Sequence, residues 1–245
     1  MKPIPGEQIW FANHSPNLFD RALAASRRDD GVATAILAVA SVEALLTDLA
    51  NCLQYLEDHS TTCLNKPRAG ALSGALNRPA GICVLPWGHE LINSEQALLA
   101  DLTRYDEDHT SLLEKLDGIL VLLSNGAAEQ SASVPADFKF LVSVRNELVH
   151  PKCERVIRRT KNGLGSGPIT GHRLVVDRLM GRKLIKRPEV GDSWLNFLVR
   201  PFADWCLVCT STTVATILAA LPETPLMNHF KRVADFKWTQ ANIKP

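Results

Sequence analysis

A long amphipathic pattern restricts the fold of this chain more than any other feature. After Asp29, Asp30 and Gly31, apolar residues recur at spacings of three, four or seven. They are Val32, Ile36, Val39, Leu46, Leu49, Leu53 and Leu56. This spacing predicts a helix of about seven turns, whose apolar face other elements must cover.

Further helical patterns follow along most of the chain. A shorter helix is predicted at roughly 16 to 28, with Ser15 or Asn17 as its cap. Residues 94 to 123 predict two helices or one broken helix, and a helix from Pro135 should end where Pro151 follows His150. A last long helix is predicted from Asp192 or Ser193 to Leu221. Pro201 should interrupt it, and Pro222 and Pro225 should close it. The expected fold class is therefore all-α.

Two segments break the helical periodicity, and we interpret both as insertions in one domain that covers residues 1 to 245. The first, at about 60–88, is rich in proline and glycine and predicts a long irregular connection. The second, at about 155–190, contains Arg173–Asp177 and Lys183–Lys186 after a glycine-rich run. These two stretches predict short strands joined by a turn, a small hairpin between the last two long helices.

Composition restricts the class of protein and its surroundings. The formal net charge of +1 excludes a generally basic nucleic-acid coat, so any charged surface must be local. Six cysteines are too sparse for a disulfide framework, and no apolar signal segment precedes Glu7. We expect reduced thiols and a cytoplasmic protein. The apolar run from Trp205 to Leu221 contains five hydroxyl residues and predicts a buried helix rather than a membrane span.

One segment combines groups suited to phosphodiester chemistry. Arg145 is followed by Asn146 and, after five positions, by His150, at the predicted end of a helix. The spacing alone is weak, because roughly half a match is expected by chance from this composition. Arg104 and His109 repeat it, but three carboxylates between them would repel a phosphate, so we interpret that pair as coincidence.

The segment around Arg145 resembles the signature of the HEPN family, the higher eukaryote and prokaryote nucleotide-binding proteins. In that family an arginine and a polar residue are followed by a histidine after four to six residues, as Arg145, Asn146 and His150 are here. The helix with Glu43 and Asp48 is similar to the family's helix of acidic and polar positions. The resemblance implies an antiparallel helical bundle and a metal-independent endoribonuclease without cofactor. The role it implies is a toxin or antiphage effector.

The chemistry of these residues agrees with what the resemblance implies. His150 can exchange a proton near neutral pH, and the end of a helix favours its cationic form. Arg145 presents a planar fork of donors to phosphate oxygens, and Asn146 would orient His150 or bind phosphate. The expected products are a 2′,3′-cyclic phosphate and a 5′-hydroxyl. Glu43 either faces solvent or lies beside His150 as an orienting carboxylate, and Asp48 is a second supporting candidate.

Helix geometry favours a site shared by two copies of the chain. Residues five apart on a helix point about 140° away from each other, so one undistorted helix does not aim Arg145 and His150 at one phosphate. In the family two motifs usually meet across a dimer, and this chain has one credible copy. The expected partners are therefore RNA and a second copy. The resemblance also allows an antitoxin or regulatory partner, and no membrane is expected.

A local basic segment follows the motif. Residues 151 to 190 contain eleven basic and three acidic residues, so the rest of the chain is acidic. The RNA-binding candidates are Lys152, Arg155, Arg158, Arg159, Lys161, Arg182 and Lys183. A solvated hairpin is the plainer alternative. Cys206 and Cys209 lack a companion pair and predict buried thiols, not a metal site. The alternative function is a catalytically inactive HEPN-like protein that binds RNA or nucleotides or forms a dimeric scaffold.

Overall fold

The fold is all-helical, as the sequence predicts. The computed structural model describes residues 10–12, 14–63, 82–84, 90–124, 133–150, 172–187 and 193–238. Within them, helices pack around one apolar core, and the strands are a short antiparallel pair, β1 (Trp10–Ala12) and β2 (Ile82–Val84). The helices are α1 (His14–Ser26), α2 (Gly31–Cys63), α3 (Asn93–Glu107), α4 (Leu112–Leu123), α5 (Ala136–Val149), α6 (His172–Gly181), α7 (Arg200–Ala220) and α8 (Pro225–Trp238).

Helix α2 is the central element, and it packs against α1, α3, α5 and α7. Five of its seven predicted apolar positions are buried and the first two are partly buried, so the periodicity identified the core side over most of this helix. The helix begins at Gly31, whose N–H donates to the Leu198 carbonyl at 2.9 Å. A Cβ at this position would lie 2.1 Å from that oxygen, so only glycine allows the close approach to the start of α7.

Helix α1 begins earlier than predicted, and its cap is not local. The first helical residue is His14, and the side chain of Asp48 on α2 accepts hydrogen bonds from the N–H groups of His14 at 3.1 Å and Ser15 at 2.9 Å. These are among the N–H groups that no helical carbonyl can satisfy. The predicted caps Ser15 and Asn17 are therefore wrong, because a carboxylate from another helix takes that role.

Residues 94 to 123 form two separate helices, α3 and α4. Glu95 is fully buried at the start of α3, where it accepts from the Ile92 N–H at 3.2 Å and from the Thr224 hydroxyl. Helix α4 starts with a reciprocal cap in which Ser111 and Glu114 bond each other's backbone N–H groups. The bonds from Ser111 lower the pKa of the Glu114 carboxyl. Side-chain caps thus begin both helices.

The hairpin predicted within residues 155–190 is wrong for the described part of that segment. Residues predicted as the first strand lie in α6, and Lys183, at a φ of 58°, lies in the turn that follows. Val175, Val176 and Leu179 are buried at helical spacing, and α6 packs against α5. The two adjacent valines suggested a strand, but residues at this spacing also lie on one buried face of a helix.

The last long helix also differs from its prediction. A short 3-10 turn, Trp194–Phe197, comes first, and α7 starts at Arg200 with Pro201 in its first turn, where a missing N–H costs nothing. The buried helix predicted at Trp205–Leu221 is confirmed as part of the core. Pro225 does not end a helix but begins α8, which the sequence prediction missed.

Among the described residues, two helices are long and apolar enough to cross a membrane by length and composition alone. They are Gly31–Asp58 within α2 and α7, and just over half of the apolar window of each, 56%, is buried inside the structure. The two helices pack against each other in the core. Helices that pack against each other in a core need apolar residues, and this packing accounts for the apolar composition of both helices.

Candidate functional site

Arg145 is held by a contact between two helices. Its Nη2 donates to both carboxylate oxygens of Glu43 on α2, at 2.8 and 2.9 Å. Its Nη1 donates to the Asn146 Oδ1 at 3.1 Å. The side chain of Arg145 is 23% exposed, so the guanidinium lies at the edge of the core rather than in it. The sequence motif therefore contains an arginine whose position is fixed by a distant part of the chain.

Glu43 is partly exposed, and its hydrogen-bond partner is Arg145, which the sequence did not predict. Its side chain is 39% exposed, and the two positions predicted for it are in solvent or beside His150. The guanidinium and the carboxylate of this pair form charge-assisted hydrogen bonds. In this chain Glu43 is thus positioned to orient Arg145.

His150 lies immediately after the last residue of α5. Its backbone N–H still donates to the Asn146 carbonyl at 2.9 Å, but its φ of −123° and ψ of 63° are not helical. The side chain is exposed, and so are those of its neighbours Val149 and Asn146. The imidazole is therefore accessible to a substrate or to a second protein copy.

Arg145 and His150 leave α5 on different sides, as the helix geometry predicts. Arg145 points to α2, where Glu43 holds it, while Asn146 and His150 are exposed. Asn146 connects the two sides, because its Oδ1 accepts from Arg145 although its position on the helix is close to that of His150. Asn146 is thus the motif residue that contacts Arg145 and lies on the side of α5 where His150 follows.

Asp48, the other supporting candidate, lies elsewhere. Both of its carboxylate oxygens accept from the first N–H groups of α1, and its side chain is buried. The structure therefore gives Asp48 a role in joining α1 to α2, whereas Glu43 is the carboxylate that reaches the motif.

A small cavity of about 190 Å³ lies on the other side of Glu43, between α2, α3 and α4. Its polar lining includes Glu43, Thr47 and the ion pair between Lys115 and Asp106. The cavity adjoins the carboxylate that holds Arg145, so a change in its lining is expected to reach the motif through Glu43.

The basic candidates divide into two groups. Lys152, Arg155, Arg158, Arg159 and Lys161 lie outside the described residues. Lys183 is exposed in the turn after α6. Arg182 forms an ion pair with Asp137 and lies over the rings of Phe140 and Trp205, at 4.9 and 5.9 Å from their centroids. A groove of about 450 Å³ beside it is lined by Ala136, Lys139, Phe140, Ser143, Arg178 and Arg182.

Sequence analysis missed two basic residues of this groove, Lys139 and Arg178. Lys139 was assigned only to a predicted helix, and Arg178 was counted in the basic segment without a role. The i, i+4 spacing of Arg178 and Arg182 indicates one helix face, but that signal is visible only if residues 172–181 are recognised as a helix.

The described residues contain no group of three or more His, Cys, Asp or Glu side chains that could hold a metal ion. Cys206 and Cys209 are buried free thiols in α7. Burial raises the pKa of the Cys206 thiol well above its usual range, and burial together with the nearby charge of Asp137 raises the pKa of Cys209 to about 12. Neutral thiols of this kind are poor metal ligands and poor nucleophiles.

We found no match to this chain among protein-family models, curated proteins or solved structures. The resemblance to the HEPN family therefore depends on the segment from Arg145 to His150 and on the helix that carries Glu43.

Proposed function

We propose that this protein is a metal-independent endoribonuclease of HEPN type, acting in the cytoplasm as a toxin or antiphage effector. The observation that carries the proposal is the fixed Arg145. Glu43 holds its Nη2, yet the guanidinium has more N–H donors than its three hydrogen bonds use. A donor group with a set orientation and an exposed imidazole, brought to one phosphate by two copies of the chain, are the groups that phosphate transfer without metal requires.

The reaction uses these groups in defined steps. The imidazole of His150 takes the proton of the 2′-hydroxyl, the 2′-oxygen forms a bond to phosphorus, and the bond from phosphorus to the 5′-oxygen breaks. The 5′-oxygen receives a proton from the cationic imidazole of a second His150. Arg145 donates to the phosphorane oxygens, whose negative charge is largest in the transition state. The products are a 2′,3′-cyclic phosphate and a 5′-hydroxyl.

A two-fold dimer supplies the second His150. Arg145 and His150 point in directions about 140° apart on one helix, so two copies facing each other are needed to surround one phosphate. Val149, directly before His150, is 43% exposed, an apolar side chain that a second copy would cover. An active monomer in sedimentation would contradict this arrangement.

The test is RNA cleavage in EDTA by the wild type, by His150→Ala and by His109→Ala. We expect cleavage by the wild type and by His109→Ala, with cyclic phosphate ends, and none by His150→Ala. His109 is the matched control because it follows an arginine at the same spacing and is exposed. Absence of cleavage by the wild type on varied RNA, or its loss in EDTA, would contradict the proposal.

A second candidate function is favoured by the same salt bridge. Glu43 compensates the charge of Arg145, as expected if the pair only ties α2 to α5 in a non-catalytic HEPN-like protein that binds RNA or acts as a dimeric scaffold. Glu43→Gln separates the two functions. If the protein is an enzyme, Glu43→Gln lowers the cleavage rate by more than its loss of thermal stability explains. If the protein is a scaffold, Glu43→Gln changes only the thermal stability, and the wild type binds RNA without cleaving it.

A further inference from the structure

The groove between α5 and α6 combines positive charge with an aromatic floor. Phe140 forms the floor and is almost completely buried, and the side chains of Arg178 and Arg182 lie over its ring at 6.0 and 4.9 Å. A guanidinium over an aromatic ring has fewer accessible rotamers, so it loses less entropy when it binds a ligand. Arg182 also contacts the Trp205 ring. The two arginines are thus oriented before any ligand arrives.

Within the part of the chain that the structure describes, the charges around this groove leave one cation without an acidic partner. Lys139 pairs with Asp117 at 2.9 Å, and Arg182 pairs with Asp137. Arg178 forms no ion pair with any residue that the structure describes, and its side chain is exposed. The five charged side chains therefore sum to one positive charge, which a single phosphodiester would neutralise. Ser143 adds a hydroxyl to the same lining.

A polar stripe on α5 connects the groove to the motif. Lys139, Ser143, Asn146 and His150 are spaced by four, three and four residues, so they lie within about 60° of one another around the helix. All four are at least partly exposed. The distance along the helix axis from Ser143 to His150 is about 10 Å. The groove and His150 are therefore two ends of one continuous exposed face.

We propose that the groove binds a phosphodiester of single-stranded RNA through Arg178, Arg182 and Lys139. The strand then continues along the α5 stripe towards His150. This inference rests on the proposed RNA substrate but not on its cleavage. Arg178 is the residue that contributes most of the binding, because no acidic side chain among the described residues must give up its partner when Arg178 takes the phosphate.

The first experiment measures binding of a fluorescent oligouridylate to His150→Ala protein at several salt concentrations. Adding Arg178→Gln should weaken binding about tenfold, the loss expected for one charged hydrogen bond. It should also reduce the slope of log K against log salt by about 0.7. Arg104→Gln is the matched control, since it removes an exposed arginine from another helix and should leave both values unchanged. Equal behaviour of the two variants would overturn the inference.

The second experiment tests the stripe by placing a carboxylate on it. Ser143→Glu should weaken oligouridylate binding about tenfold or more, because the new charge faces the strand. Thr216→Glu on α7 is the control, since Ser143 and Thr216 both donate to a backbone carbonyl of their own helix, at 2.7 and 2.9 Å. Unchanged binding by a folded Ser143→Glu protein would contradict the path along α5.

Competition distinguishes an RNA strand from a free phosphate. Uridine monophosphate should displace the oligouridylate only at a much higher nucleotide concentration, because it contacts the groove but not the stripe. Equal competition would overturn the strand path. All of these measurements use His150→Ala protein, so a wild type that fails to cleave RNA would refute the proposed nuclease without changing the outcome for the groove.

Discussion

The chain contains two segments with the same spacing of arginine and histidine, and the two arginines have very different surroundings in the structure. Arg104, in the last turn of α3, bonds Asp101 one turn away, lies over the ring of Tyr105 and is 57% exposed. Arg145, near the end of α5, bonds Glu43, which is 102 positions away in the sequence, and is 23% exposed. The partner of Arg104 lies on the same helix, whereas the partner of Arg145 lies on another helix.

The difference shows what gives such a motif a fixed geometry. A contact within one turn of an exposed helix constrains little, because both side chains move with that helix and with solvent. A contact between helices, in which Nη2 of the arginine donates to both oxygens of a carboxylate, sets the guanidinium relative to the core. Spacing in the sequence therefore selects candidates, and the long-range partner distinguishes between them.

The strongest test of this contrast replaces each arginine in turn. Arg145→Ala should lower RNA cleavage by about 10²–10³-fold, the loss seen when one donor to a developing negative charge is removed. Arg104→Ala should leave the rate within a factor of about two, because its bonds are local and exposed. Initial rates on one RNA substrate measure both. Equal losses would show that the anchored position has no special role.

The next test compares a long-range carboxylate with a local one. Asp48→Ala removes the cap that α2 supplies to α1 and should lower the free energy of unfolding by about 2 kcal/mol. Asp101→Ala removes the local partner of Arg104 and should cost less than about 0.5 kcal/mol. Urea unfolding followed by circular dichroism gives both values. A similar cost for the two variants would contradict the contrast between long-range and local contacts.

A double-mutant cycle measures the two arginine pairs directly. Coupling between Glu43 and Arg145 should be about 1 kcal/mol, because both carboxylate oxygens accept from the guanidinium and the pair is partly buried. Coupling between Asp101 and Arg104 should be about 0.3 kcal/mol. Unfolding of the single and double alanine variants supplies the terms. The comparison fails if the local pair couples as strongly as the long-range one.

The smallest expected effect concerns the two histidines in mixed dimers. Wild type mixed with an equal amount of His150→Ala, after exchange of subunits, should have about a quarter of the activity of the same total concentration of wild type, because only wild-type pairs have both imidazoles. Wild type mixed with His109→Ala should keep the full rate. Retention of about half in the first mixture would mean that each copy works alone.

The sequence predicts many of the helices, but it does not predict the contacts that join one helix to another. The periodicity located the start of α2, although the helix continues to Cys63, past the seven turns predicted, and the prolines located both ends of α5, because local spacing and backbone limits determine them. The cap of α1 was missed because Asp48 lies 33 positions after Ser15. Val175 and Val176 suggested a strand, since β-branched residues favour strands until a packed helix face overrides that preference.

The sequence predicts the residues of the candidate site but not how they are arranged in space. Arg145, Asn146 and His150 follow from their types and spacing, and the exposed end of the helix follows from Pro151. The partner of Arg145 does not, because the rotation of α2 relative to α5 is set by packing along both helices. The groove at Arg178 needed the same information, since it exists only where α6 meets α5.

Two of the acidic side chains of helix α2, Glu43 and Asp48, fix its register against the neighbouring helices. Glu43 bonds α5, Asp48 bonds α1, and their separation of five residues directs them about 140° apart around the helix. A slip of α2 by one turn, about 5.4 Å, would break both sets of bonds together. Arg145 therefore takes its place when the three helices assemble, and a sliding motion that displaced it would have to loosen α1 as well.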